Sequence, residues 1–208
     1  MDGTFDTDGV ESACLSDPLE YAIKVTEICE RLASMPSAYI PGFPTSNDWV
    51  YEACRIAALI YTASISKRVP FYVAADPSQN PLLFRARGVP ASYPGAHLLT
   101  TRLNEELYEV LERTDMSNIW NNMPGVLYWV CAVGAAAART PATMNITQQA
   151  RSRSESYSVW VRRCLIMFAT RAMIIGIFEY PVDVIMAQKQ LLKVQELVRT
   201  GSAKRFAS

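Results

Sequence analysis

The chain contains a single histidine, His97, and one imidazole narrows the chemistry it can do. His97 follows a proline-rich stretch and precedes Leu98, a setting that suits a helix cap or a surface residue better than a general base. Nucleophilic catalysis needs a nucleophile, a base and a group that orients the base, and no such set assembles around His97. Zinc hydrolysis needs several His or carboxylate ligands at helical spacing, and the usual patterns require more than one histidine. Neither a Walker loop nor a G-x-G-x-x-G run is present to cradle phosphate. Glu105, Glu106, Glu109 and Glu112 cluster in sequence, but helical periodicity sets them opposite the leucines of the same segment. They read as a solvated stripe rather than an acid–base pair. We therefore expect no catalytic residue, no cofactor and no metal site. An enzyme would require a buried group of carboxylates joined by Arg or by His97.

The cysteines fall at positions 14, 29, 54, 131 and 164. Their number is odd and no pair has C-x-x-C spacing, and Cys29, Cys54, Cys131 and Cys164 each lie in an apolar helical pattern. Buried thiols in a reducing compartment are expected, not a disulfide framework. No basic segment followed by an apolar run opens the chain, so the Asn145-Ile146-Thr147 sequon carries no weight. Arg151-Ser152-Arg153-Ser154 is a basic, serine-rich piece that phosphate could bridge to its arginines; a solubilising loop is the plainer reading.

Half the residues are hydrophobic, 19% are charged, and twenty basic residues balance twenty acidic ones. That composition is globular. It lacks the Lys/Arg excess with which a domain grips a nucleic-acid backbone, so no direct nucleic-acid binding by this chain is expected. Residues 1–16 are acidic and are expected to be a solvated, disordered terminus, with an acidic docking arm as the alternative. Two apolar runs, Met123 to Ala138 and Cys164 to Phe178, fall short of the roughly 20 residues a membrane span needs and read as buried core helices. A soluble, intracellular protein with no membrane contact follows.

The elements that would hold these residues are helices. Asp17-Pro18 pairs a cap residue with proline at the first helical position, and a stripe runs from Leu19 through Ile23 and Ile28 to Leu32. Asn47-Asp48 caps a second helix that Val69-Pro70 stops. Residues 70–96 hold five prolines with Gly88 and Gly95 and predict a long irregular connection, disordered or a functional lid. Leu98, Leu99, Leu103, Leu107, Val110 and Leu111 mark a third helix, and Asp115 to Asn122 a short helical turn. Pro124 opens a helix that is apolar nearly all round, and 140–156 reads as a second loop. Two further helices are expected over about 156–178 and 181–200, the last ended by Gly201, leaving 201–208 as a tail. Strand signals are weak. The expected fold is all-α: one domain over 17–200, an irregular multi-helix bundle around a buried central helix at about 124–138.

Two blocks carry a family resemblance. Glu52-Ala53-Cys54-Arg55-Ile56-Ala57-Ala58-Leu59-Ile60-Tyr61 resembles a characteristic helix of the fungal-specific transcription factor domain, the regulatory region of zinc binuclear cluster regulators. Ile119-Trp120, Pro124, Leu127, Trp129, Val133-Gly134 and Ala135 to Ala138 resemble a later block of that domain, in the same order and at a fitting distance. The sequence lacks the six-cysteine cluster through which such regulators read DNA. Tyr157-Ser158-Val159-Trp160 and Leu191-Leu192-Lys193-Val194 also depart from the family's aromatic segments. The resemblance implies a nuclear regulatory domain that takes a signal from a protein partner or a small-molecule effector, the latter in an apolar cleft between helices. A scaffold or homodimer without ligand is the alternative. The small residues Ala57, Ala58, Gly134, Ala135 and Ala138 are expected to let helix backbones approach, with Trp120, Tyr128 and Trp129 filling the volume beside them.

Overall fold

The computed structural model describes residues 18–79, 101–116, 118, 120, 122–138 and 153–206. Among them the chain forms seven α-helices and no strand: α1 Pro18–Ser34, α2 Trp49–Lys67, α3 Phe71–Ala74, α4 Leu103–Glu112, α5 Pro124–Ala137, α6 Arg153–Glu179 and α7 Pro181–Phe206. The fold is all-α, as the periodicity implies. Its helix ends follow the local signals. Asp48 accepts a hydrogen bond from the Tyr51 amide at 2.9 Å and caps α2. Arg68 ends the same helix in the left-handed region at φ 50° and returns its amide to Ile65 O. Pro124 and Pro181 stand at the first positions of α5 and α7, where a missing N–H leaves nothing unpaired.

One apolar core runs through α2, α3, α4, α5 and α6, with Leu32 of α1 and Val194 of α7 at its margin. Helix α5 is central to it, flanked by α2, α3 and α4 and lying along α6. Val130, Cys131 and Val133 are wholly buried there. Gly134 marks the tightest crossing. A Cβ at that position would sit 2.8 Å from Leu107 Cδ2 of α4 and 3.1 Å from Leu165 Cδ1 of α6, so the small residue sets the distance between three helices. Trp120 fills the floor beside them and donates from Nε1 to Thr114 Oγ1 at 2.9 Å. The two blocks that carry the family resemblance thus meet in one core, with Tyr61 edge-on to Trp129 at 5.8 Å.

Several expectations need correction. Residues 70–79 are packed rather than disordered: Phe71, Ala74 and Ala75 are buried, and Ala75 O accepts from the Leu103 amide at 3.0 Å. Arg102 ties the same segment down, donating to Tyr72 O and pairing with Asp76 at 3.6 Å. Proline content excluded a long helix there, but a four-residue helix still buries an aromatic ring. Of the segment 115–122, expected as a short helical turn, the described residues Met116, Asn118, Trp120 and Asn122 lie in turns. Helix α6 begins at Arg153, inside the stretch read as a loop, and α7 continues past Gly201 to Phe206; one glycine costs a helix only about 1 kcal/mol and does not end it. In α1, Ile23 and Ile28 of the expected inner stripe are exposed. His97, Leu98, Leu99, the sequon at 145 and the acidic residues 1–16 lie outside the described residues.

Candidate functional site

The carboxylate stripe of α4 is not uniformly solvated. Glu106 is buried and Glu105 half-buried, and burial pushes the Glu105 carboxyl upward despite the nearby Arg102. Among the described residues the most fully enclosed acid is one that sequence reasoning placed only in a packing block, Glu52. Its carboxylate accepts from Ser37 Oγ at 2.8 Å, Ala38 N at 2.9 Å, Arg55 Nε at 2.9 Å and an Arg55 terminal nitrogen at 2.6 Å. Both side chains of the pair are shut off from solvent. With Tyr51 donating to Pro36 O at 2.8 Å, this knot pins the 36–38 turn onto α2. Beside it, the Arg113 guanidinium lies 4.7 Å from the Trp49 ring centroid and 5.2 Å from that of Tyr39. Every Glu52 oxygen is engaged and no opening reaches it, so the group holds structure and does not face a substrate.

The described thiols, Cys29, Cys54, Cys131 and Cys164, are free. Burial pushes Cys131 up to about 12 and raises Cys54, which suppresses their thiolates. Among the described residues no three His, Cys, Asp or Glu side chains gather where they could hold a metal ion. Nor is any described helix long and apolar enough to cross a membrane.

The surface with binding character is built by the last two helices. Tyr108 of α4 anchors the base of α6: its ring meets Trp160 edge-on at 5.0 Å and stacks on Phe168 at 6.3 Å. Burial, then the hydrogen bond to Glu112, pushes the Tyr108 hydroxyl far above its ordinary value. From that base α6 runs to Glu179, and Pro181 forces the chain to break at Tyr180 and reverse. The resulting hairpin is close at its tip. A Cβ on Gly176 would lie 3.1 Å from Val184 Cγ2, and Gln188 Nε2 donates to Met173 Sδ at 2.9 Å.

Where the hairpin passes the start of α5, the two leave a cleft of about 520 Å³. Met123, Val126, Met173 and Val184 make it apolar, Tyr128 and Tyr180 add hydroxyls, and Asp183 is its one charged lining residue. The exposed surface of these elements is apolar as well. Met123, Val126, Ile174, Ile177, Ile185 and Met186 are exposed, Val182 is 70% exposed and Phe178 85%. The expectation that Cys164 to Phe178 forms a buried core helix is therefore only half right. Val161, Leu165 and Ala172 face the core, while Ile166, Met167, Ile174, Ile177 and Phe178 face outward. The missed signal is that apolar residues of this segment recur on opposite sides of one helix, more than a single core contact can cover.

Comparison of the chain with family models, with curated proteins and with solved structures returns no match. The fold and the site define an all-α domain with an apolar cleft beneath an exposed apolar hairpin.

Proposed function

We propose that the chain is a helical regulatory domain that works by binding a partner through the α6–α7 hairpin and the cleft beneath it. One observation carries this reading: large apolar side chains of the hairpin, Phe178 and Val182 most of all, stand exposed, and the inner side of the same hairpin lines an apolar cleft. Soluble domains rarely leave such a surface open unless something docks on it. The placement of this regulator in the nucleus, as the effector half of a zinc-cluster transcription factor, rests on the sequence resemblance of residues 52–61 and 119–138. Their packing against one another in the core is compatible with it. In this reading the chain does not contact DNA itself; it passes a signal to a protein that does.

A small-molecule effector is the second reading, favoured by the volume of the cleft, which lies within the range of ligand sites. Such an effector would regulate by binding two conformations of the hairpin with different affinity. The domain reading is tested by fusing the chain to an unrelated DNA-binding module and measuring a reporter. A regulatory domain changes the output relative to the module alone, and Phe178→Asp abolishes the change. An output equal to that of the bare module contradicts the proposal.

A further inference from the structure

We infer that the cleft between α5 and the α6–α7 hairpin binds a small organic cation, an ammonium group carried on an apolar body, with Asp183 pairing the charge. The inference rests on the effector reading of this cleft and names the chemistry of the effector. The lining is the first ground. Met123, Val126, Ala172, Met173, Val184 and Ala187 give the cleft apolar walls, and Asp183 is its one charged residue. No Lys or Arg lines it. Among the described residues Asp183 makes no ion pair. The cleft thus holds a negative charge that its own walls do not answer.

Two helix starts border the same space, that of α5 at Pro124 and that of α7 just before Asp183. Their N-terminal ends carry partial positive charge, which alone would favour an anion. Both helices open on a proline, which removes one N–H donor from each start. The charge of a helix end is about half an elementary charge, spread over several amides and fading within a turn. A carboxylate is a full charge on one group, and it forms hydrogen-bonded ion pairs with ammonium donors. Asp183 therefore sets the sign of the ligand. An anion would meet like charge there, and a neutral ligand would cover the carboxylate without pairing it.

Aromatic content and size agree. Tyr128 and Tyr180 line the cleft beside Asp183; aromatic rings attract ammonium groups, and phenol oxygens accept hydrogen bonds from them. The volume of about 520 Å³ suits a small molecule whose apolar body supplies most of the affinity while one polar group orients it. The walls are held in place without a ligand. Gln188 Nε2 donates to Met173 Sδ at 2.9 Å across the hairpin. A Cβ on Gly176 would come within 3.1 Å of Val184 Cγ2, so α6 and α7 are already in close contact at that level.

Isothermal titration calorimetry of the whole chain with phenylbutylammonium, phenylbutanol and phenylvalerate tests the inference. The three share one apolar body and differ in the charge of the head group. The ammonium is expected to bind about fivefold more tightly than the alcohol, the modest gain of a partly solvated ion pair, and the carboxylate to bind most weakly. Asp183→Asn is expected to lower the ammonium to the affinity of the alcohol. Ala187→Trp, at an exposed position that lines the cleft, is expected to abolish binding of all three. Both substituted positions are exposed, and unchanged circular dichroism shows that the variants fold. Alcohol or carboxylate binding as tight as that of the ammonium overturns the inference, as does ammonium binding that survives either substitution. Absence of ammonium binding also overturns it. A chain that alters the reporter yet binds no ammonium loses this inference and keeps its regulatory role; one that binds the ammonium through Asp183 but leaves the reporter unchanged keeps the ligand site and loses that role.

Discussion

The Glu52 knot and the α6–α7 hairpin invert the usual placement of polar and apolar groups. Around Glu52 a carboxylate and a guanidinium are wholly enclosed, and each carboxylate oxygen accepts hydrogen bonds from the turn and from Arg55. On the hairpin, Phe178, Val182 and their neighbours face solvent with nothing of their own chain over them among the described residues. Burying a charge is tolerable only when it is paired and hydrogen-bonded, so the first arrangement serves the fold. Exposing a row of large apolar side chains serves no fold at all, so the second serves a contact. Substitutions in the first region should cost stability, and substitutions in the second should cost binding.

The largest effect is expected at Glu52. Glu52→Ala leaves the enclosed guanidinium without this carboxylate and frees the 36–38 turn, and we expect a loss of about 3–5 kcal/mol in denaturant unfolding. Next is Trp120→Phe, which removes the bond to Thr114 and part of a fully buried ring; a loss of about 2 kcal/mol is expected from the same measurement. Gly134→Val forces Leu107 and Leu165 aside and should cost about 1–3 kcal/mol.

A smaller effect depends on pH. Burial pushes the Cys131 thiol up to about 12 in the folded protein, against an ordinary value of 9.0. The folded state therefore binds more protons than the unfolded state across that window. The contribution is fully present below pH 9 and is lost as pH rises toward 12. In Cys131→Ala the fall of the melting temperature over this range should be shallower than in the natural chain; an equal slope would remove the thiol from the account. The smallest effect is expected at Phe178, where Phe178→Ser should shift stability by no more than about 0.5 kcal/mol. A larger loss there would erase the contrast between the two regions.

The sequence made the packed half legible because its signals are local. Asp48 and Pro124 announce helix starts, and the run of small residues around Gly134 announces a close crossing. The apolar faces of α4 and α5 recur at helical spacing. The turn pinned by Glu52 was not legible, since Ser37 and Ala38 reach it from 15 and 14 residues away and an i, i+3 Glu–Arg pair on a helix ordinarily lies in solvent. Nor was the hairpin surface. Apolar residues on two sides of α6 look the same in sequence whether one side meets the core and the other meets water, or both are buried. Which occurs is decided by where α7 lies, and Pro181 fixes only that the chain turns.

The most direct test of the central claim is the reporter output of the chain fused to an unrelated DNA-binding module, read for the natural sequence beside Phe178→Asp. The account predicts that the natural chain alters the output, that the variant falls to the level of the bare module, and that its melting temperature is unchanged. An output that survives the substitution would contradict the assignment of the hairpin as the docking surface.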